Sequence, residues 1–141
     1  MRLTQVNRVE EASLLLVKLN HCHDGSLVRI AFTKPRDVNK ENGSLTYPFT
    51  SMEDDVLCDV EAELILNSYE GAKTDQRVVF EFKGVTSFRF EQGQYDYSDI
   101  YEAKCQLGQE VRTPLMFTFY ATKEKHITVI LQCKEWCCKE L

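Results

Sequence analysis

The sequence lacks any long run of apolar residues. None of its 141 residues lies in a stretch approaching the ~20 consecutive apolar residues that a membrane-spanning helix needs. The apolar segment from Ser13 to Leu19 is short, and Lys18 interrupts it. Glu10 and Glu11 precede this segment where a secretory signal would carry positive charge, and no small-residue cleavage site follows. We therefore expect a soluble, cytoplasmic protein that has no membrane partner.

Clusters of basic residues are also missing. The chain has 17 Lys and Arg against 22 Asp and Glu, which gives a net charge of −5. General nucleic-acid binders depend on clustered Lys and Arg that neutralise phosphates, and the basic residues here are scattered. We expect no nucleic-acid partner. The acidic balance favours solubility and is also compatible with a basic protein partner.

The usual catalytic and metal-binding motifs are absent. The six cysteines form no CxxC pair, so the spacing typical of zinc ribbons and thioredoxins is missing. No GxSxG, GxGxxG or P-loop pattern occurs either. We expect no catalytic residue, bound metal or cofactor that can be recognised along the chain. Without an export signal the cysteines are expected to be free thiols, and some of them exposed and reactive.

What the sequence does contain is the composition of a globular β protein. Apolar residues make up 43% and charged residues 28%, and the length suits one domain, residues 1–141, with its own core. Eight Phe and six Tyr against one Trp favour strands, because aromatic side chains fit the half-buried surface of a sheet.

The N-terminal region predicts the only regular helix. Apolar residues in the segment 8–19 follow a helical spacing: Val9, Ala12, Leu16 and Leu19. Glu10 and Glu11 suit the first turn of a helix, near the positive end of its dipole. The run from Leu14 to Val17 is equally compatible with a buried strand, so a short helix is favoured while a strand stays open.

Alternating apolar residues predict the strands. They extend over 27–33, 45–49, 56–66, 78–90, 115–121 and 127–133. In the first strand Val28, Ile30 and Phe32 are expected to share one face. The longest alternation, 78–90, is too long for a straight strand in a chain of this size, so a bend or break is expected at Gly84.

The connections between these strands are predicted to be hairpins and loops. Asn42-Gly43 is a turn signal, Thr122 to Lys125 joins the last two strands, and the polar stretch 92–110 reads as a long loop. Each strand has one polar, solvent-exposed face, which implies antiparallel sheets. The fold class is therefore mainly β, a two-sheet sandwich or partly open barrel of about six to seven strands with one short N-terminal helix.

The first candidate site is the cluster His21, Cys22, His23 and Asp24. Three of these residue types are metal ligands, and a thiol between two imidazoles is the composition of a nucleophilic site. Neighbouring residues of an extended chain face opposite sides, however, which makes direct thiol–imidazole pairing awkward. The alternative is a plain loop in which Asp24-Gly25 turns the backbone.

The second candidate site is an acidic, tyrosine-rich stretch. It consists of Tyr95, Asp96, Tyr97, Asp99 and Tyr101. Tyrosine supplies a large contact area at a low cost in entropy, and carboxylates complement a basic partner. The pattern predicts a protein-binding loop on a β scaffold. The alternative is that the tyrosines only cover the end of a sheet.

Two segments together resemble a class of small bacterial proteins. The run His23-Asp24-Gly25-Ser26 opens a strand, and residues 78–90 alternate around Gly84-Val85. Some members of that class are immunity proteins of toxin–antitoxin competition systems. The likeness covers about half of the chain, and Gly25 departs from it, because a small polar residue often follows the Asp.

This resemblance implies a small β protein that binds and blocks a basic protein such as a toxin, and it implies no catalytic residue. The residues themselves favour a non-enzymatic protein-binding domain. Two alternatives stay open: a small metal- or thiol-dependent enzyme built on the cluster 21–24, and a structural subunit of a homo-oligomer, with a homodimer as the simplest form.

Overall fold

The computed structural model describes residues 6–33, 37–38, 40–43, 45–46, 58–66, 77–91, 99–110, 113–121 and 126–141. Two antiparallel sheets and one helix account for most of them, which confirms the mainly β, two-sheet prediction. The elements are α1 (Val9–Lys18), β1 (Gly25–Thr33), β2 (Asp37–Val38), β3 (Leu45–Thr46), β4 (Cys58–Ile65), β5 (Arg77–Val85), β6 (Ser87–Phe90), β7 (Asp99–Ile100), β8 (Glu102–Glu110), β9 (Thr113–Tyr120), β10 (Ile127–Cys133) and β11 (Glu135–Glu140).

The larger sheet has the strand order β11-β5-β4-β1-β7, and the smaller sheet has the order β6-β10-β9-β8. The short strands β2 and β3 pair with each other around a turn in which Gly43 has a φ of +72°. This confirms the return strand after Asn42-Gly43 at Leu45 and Thr46, while residues 47–49 lie outside the described residues.

The alternation of apolar residues positions β4 and β5 as expected. Val60, Ala62 and Leu64 are buried on one face of β4, and Val78, Phe80 and Phe82 are buried on the same face of β5. The opposite face of the sheet was expected to be exposed to solvent, and its carboxylates are paired with basic side chains. Arg29 pairs with Glu63 and with Glu61, each at 3.2 Å, Lys83 pairs with Asp59 at 3.4 Å, and Lys139 pairs with Glu81.

The interruption that Gly84 predicts is present, and it moves the chain from one sheet to the other. β5 ends at Val85 in the larger sheet, and β6 begins at Ser87 in the smaller one. Gly84 has a φ of +64°, a conformation that costs a side-chain-bearing residue energy. β10 and β11 cross between the sheets in the same way at Lys134, whose N–H donates to the carbonyl of Lys83 at 3.0 Å. Two neighbouring strands therefore bend together at one corner.

The core lies between the sheets and is built around five aromatic side chains. These are Phe80, Phe82, Phe117, Phe119 and Trp136, all fully buried. Phe117 of the smaller sheet lies 4.9 Å from Phe82 and 5.0 Å from Trp136 of the larger sheet, measured between ring centroids. Such edge-on aromatic contacts stabilise beyond the area that they bury.

The sequence did not predict strands β2, β7, β8 and β11. The stretch 92–110, predicted as a loop, contains β7 and the nine-residue β8. Its inward positions, Ala103 and Cys105, are small and weakly apolar, so the alternation is faint. The C-terminal tail forms β11, which buries Trp136 and Cys138 against the core.

The predicted face of β1 is correct only in part. Ile30 and Phe32 pair with the inward residues Ala62 and Val60 of β4. A β-bulge between Leu27 and Arg29 takes Val28 out of this register, and Val28 is 46% exposed. A bulge adds one residue to a strand, which shifts the alternation of every position before it.

The N-terminal segment is a helix, as favoured from the sequence, and not a strand. Ala12 and Leu16 are buried, and α1 packs against β8. Leu14 and Val17 lie on the opposite side of the helix and are exposed. Within the described residues, no helix is both long enough and apolar enough to cross a bilayer.

Candidate functional site

A left-handed turn joins α1 to β1. After Leu19, the residues Asn20, His21 and Cys22 have φ angles of +53°, +53° and +57°, and Asp24 follows with +61°. Two backbone hydrogen bonds close the turn: Cys22 N–H donates to the Leu19 carbonyl and His23 N–H to the Asn20 carbonyl, each at 3.0 Å. Left-handed geometry costs a non-glycine residue about 1–2 kcal/mol, so the surrounding structure must hold this turn in place.

The turn separates the side chains of the first candidate cluster. Cys22 is fully buried beside Leu19, whereas His21, His23 and Asp24 are exposed. The buried thiol acts as an apolar anchor that fixes the turn to the core. The imidazole Nδ1 of His23 lies 3.2 Å from Asp24 Oδ2, so the carboxylate orients the ring.

The described end of the second candidate stretch, from Asp99 to Tyr101, lies directly beside this turn. Asp24 N–H donates to the Ile100 carbonyl at 2.8 Å, and β7 pairs Ile100 with Gly25 and Asp99 with Ser26. The ring of Tyr101 meets the ring of His23 edge-on at a centroid distance of 5.2 Å. His23 of the first candidate and Tyr101 of the second, more than 70 residues apart in sequence, therefore lie on one surface.

We call the side chains of His21, His23, Asp24 and Tyr101 the His–Tyr surface. Tyr101 is held in place by its N–H, which donates to the Tyr120 carbonyl of β9 at 2.7 Å. Among the other predicted binding residues, Asp99 contributes its backbone to β7, and its side chain is outside the described residues. Tyr95, Asp96 and Tyr97 also lie outside them.

The chemistry of Cys22 does not match that of a catalytic nucleophile. Burial raises the pKa of the thiol well above its usual value, and the nearby Cys138 thiol raises it further. A buried neutral thiol is a poor nucleophile near pH 7. In the described part of the chain, no three His, Cys, Asp or Glu side chains are grouped as metal ligands.

The cysteines of the C-terminal region are likewise packed into the fold. Cys133 and Cys138 are buried in the core, and Cys137 points to the opposite face, where its Sγ lies 3.7 Å from Glu81 Oε2. All six cysteines are free, as expected, but the expectation of exposed thiols is wrong for five of them. The alternation of β10 and β11 explains the burial of Cys133 and Cys138.

Sequence reasoning missed the exposure of three apolar residues in these alternations: Val28 and Phe32 of β1 and Phe90 of β6. The rings of Phe32 and Phe88 meet edge-on at 4.8 Å, although their strands belong to different sheets. Phe32 is 56% exposed and Phe90 47% exposed. The alternation in both strands predicts burial for these side chains, and only the three-dimensional arrangement of strands reveals that nothing among the described residues covers them fully.

Comparison with known proteins adds no assignment to this site. No family model, curated protein or solved structure significantly matches the chain. The resemblance to immunity proteins stays a prediction.

Proposed function

We propose that this protein is a non-enzymatic binding protein that recognises a basic protein through the His–Tyr surface. The observation that carries the proposal is the edge-on contact between His23, which is exposed, and Tyr101, which is partly exposed, because it brings together one residue from each candidate site. The surface combines two imidazoles, a phenol and a carboxylate.

The backbone beneath this surface supports a binding role because it is fixed before a partner arrives. The left-handed turn, the Asp24–Ile100 hydrogen bond and the Tyr101–Tyr120 hydrogen bond constrain the residues that carry the exposed side chains. A surface that is ordered in advance loses less conformational entropy on binding. Tyrosine adds contact area with few rotatable bonds.

The charge of the surface favours a basic partner. Asp24 is exposed, Glu102 follows Tyr101 directly, and the acidic residues Asp96 and Asp99 precede it in the sequence. The whole chain carries a net charge of −5, which attracts a positively charged partner over distances up to the screening length.

The burial of Cys22 supports binding rather than catalysis. A thiol enzyme needs an accessible thiolate, and both the position and the raised pKa of Cys22 oppose one. A His–Asp pair without a nucleophile beside it orients a ring for hydrogen bonding. This is a suitable arrangement for contacting a partner.

The resemblance of the segments 23–30 and 78–90 to immunity proteins gives the proposed partner a class: a basic toxin that this chain blocks by binding. The genes that flank the coding sequence provide an independent check. An adjacent gene for a large toxin would support this class, and a flanking metabolic operon would count against it.

The binding test begins with affinity capture by the full-length chain in native buffer. The captured protein is then purified, and its dissociation constant is measured by titration calorimetry. We expect Asp24→Lys and Tyr101→Ala each to weaken binding by at least about tenfold, the effect of losing a central contact. Tyr97→Ala and Asp99→Lys test the predicted residues that precede Tyr101.

Glu91→Lys is the matched control, because it reverses an exposed carboxylate at the end of β6. It changes the net charge as Asp24→Lys does, so it should alter only the long-range attraction and leave most of the affinity. An equal loss in both variants would reduce the effect to net charge and would refute the site. A partner with an acidic surface would refute the charge argument.

A further inference from the structure

The hairpin of β2 and β3 stands apart from the two sheets of the sandwich. Two residue pairs join its strands, Asp37 with Thr46 and Val38 with Leu45, and within the described part of the chain it forms a two-stranded sheet of its own. An isolated two-stranded hairpin is at best marginally stable in water. The backbone at its turn is therefore held less firmly than the backbone of the sandwich.

The turn of this hairpin carries the single Asn-Gly sequence of the chain, Asn42-Gly43. Each of the other four asparagines precedes a residue that has a side chain. Asn42 and Gly43 are both exposed. Gly43 has a φ of +72°, and a Cβ atom at this position would meet no atom of the described residues within 4 Å beyond its chain neighbours. Water therefore has access to the peptide bond between the two residues.

We propose that Asn42 is a site of spontaneous deamidation, in which the backbone nitrogen of Gly43 attacks the side-chain amide. The nitrogen loses its proton and bonds to Asn42 Cγ, the Cγ–Nδ2 bond breaks, and ammonia leaves with a proton. Water then adds to either carbonyl of the resulting succinimide ring, and cleavage of that C–N bond yields aspartate or isoaspartate. No oxidant or reductant is consumed. The inference is independent of the proposed function, because neither residue belongs to the His–Tyr surface.

The glycine makes this attack easier than a residue with a side chain would. A side chain after the asparagine crowds the attacking nitrogen and restricts the backbone rotation that brings it to Cγ, whereas glycine has no Cβ and rotates freely. Rotation at the turn disturbs at most the two residue pairs of the hairpin. The native fold should therefore leave the reaction at Asn42 about as fast as it is in the unfolded chain.

The dipeptide Asp24-Gly25 provides a contrast within the same chain. An aspartate that precedes glycine forms the same succinimide, with loss of water in place of ammonia. Here, however, a Cβ atom at Gly25 would lie 3.0 Å from the Cys22 carbonyl oxygen, and Asp24 N–H donates to the Ile100 carbonyl at 2.8 Å. Packing and hydrogen bonding fix the backbone on both sides of this peptide bond, so the fold should suppress the reaction there.

The products should change the hairpin and leave the sandwich intact. Either product adds one negative charge to the net charge of −5. Isoaspartate also routes the main chain through the former side chain, which lengthens the loop between Val38 and Leu45 by one backbone atom. Because loop length fixes the register of a hairpin, the pairing of β2 with β3 should be lost. The fluorescence of Trp136, which lies in the core between the sheets, should stay native.

Peptide mapping by mass spectrometry tests the proposal on the full chain, incubated native and unfolded in guanidinium chloride at mildly acidic and mildly alkaline pH. In the native chain, loss of the side-chain amide should be fastest at Asn42 and should accelerate at alkaline pH, because the attacking nitrogen must lose its proton. The rate at Asn42 should be similar in the unfolded chain, whereas Asp24 should isomerise only there. A native chain that keeps Asn42 intact, while unfolding allows its conversion, would overturn the proposal.

Substitutions in the turn test the chemistry. Gly43→Ala keeps the asparagine amide but crowds the attacking nitrogen, so the conversion should become much slower. Asn42→Gln keeps an exposed amide but requires a larger ring that forms more slowly, so the conversion should be lost. Asn7→Gln, which changes another exposed asparagine, is the matched control and should leave the rate at Asn42 unchanged. Conversion of Gly43→Ala at the wild-type rate would overturn the attack by the Gly43 nitrogen.

Discussion

At the scale of single residues, the cysteines show how far burial determines chemistry in this protein. Five of the six thiols are buried, and Cys58 alone is partly exposed. Burial raises the pKa of the Cys105 thiol to about 11, and it raises the pKa values of Cys133 and Cys138 further. At neutral pH these side chains are neutral thiols that pack as small apolar groups.

Thiol labelling measures this burial directly. With iodoacetamide at pH 8, we expect the native protein to react first at Cys58, while the five buried thiols react only after unfolding in guanidinium chloride. The reason is that alkylation needs an accessible thiolate, and a raised pKa reduces the thiolate fraction at a fixed pH. Mass spectrometry of the intact chain and its peptides counts and locates the labels.

Cys22 is the informative residue in this measurement. Rapid labelling of Cys22 in the native state would contradict the buried position assigned to it and would reopen the thiol chemistry of the cluster 21–24. The Cys58→Ser variant serves as the control and should show almost no labelling before the denaturant is added.

At the scale of elements, the strands that cross between the sheets explain the conformation of Gly84. A Cβ atom at this position would lie 2.9 Å from both Cγ and Cδ of Lys134, in addition to the strain of the positive φ. Gly43 in the β2–β3 turn has a similar φ of +72°, but its Cβ would meet no atom within 4 Å. A comparison of the two glycines therefore separates the energetic cost of backbone strain from that of crowding by the lysine side chain.

Alanine substitutions at these two positions test the corner. Gly43→Ala should lower the free energy of unfolding by about 1 kcal/mol, the cost of the left-handed backbone. Gly84→Ala should lower it by about 2–3 kcal/mol, because the lysine stem must also move. Urea denaturation monitored by tryptophan fluorescence measures both.

The double variant Gly84→Ala/Lys134→Ala isolates the crowding term. In the Lys134→Ala background, Gly84→Ala should lower the free energy of unfolding by less than it does in the wild-type chain. Equal destabilisation by Gly43→Ala and Gly84→Ala would show that the corner does not crowd the lysine stem.

The elements that the sequence predicted well are those whose alternation involves large side chains. Val78, Phe80 and Phe82 identify β5, and Gly84 identifies its end. β8 was missed because its inward positions are Ala103 and Cys105, whose small side chains indicate a buried face less clearly than Val or Phe does. The contact between His23 and Tyr101 could not be predicted, because it depends on β7 pairing with β1 across more than 70 residues. The bulge at Val28 was likewise invisible, because a bulge is a property of the strand pair.

At the scale of the whole molecule, the aromatic core joins the two sheets. Phe117 contacts three aromatic rings of the larger sheet, those of Phe80, Phe82 and Trp136. It is fully buried, whereas Phe90 at the edge of the same sheet is about half exposed. The same residue type thus occupies two opposite environments within four neighbouring strands.

Phe117→Ala should lower the free energy of unfolding by about 3–5 kcal/mol, since the change removes buried apolar surface and leaves a cavity. Phe90→Ala should lower it by less than about 1 kcal/mol, because the ring already contacts water. Chemical denaturation of both variants under identical conditions gives the comparison. Similar losses for the two would contradict the assignment of Phe117 to the shared core.

The corner at Gly84 and Lys134 has a consequence for how this protein opens. The backbone passes directly from β5 to β6 and from β10 to β11 at this corner, so a fluctuation that lifts one sheet pulls on the hydrogen bonds of the other. In a sandwich whose sheets are linked only by loops, the two sheets can separate from each other. Here continuous backbone connects the sheets at the corner, so local opening is confined to the outer strands and loss of the core is an all-or-none event.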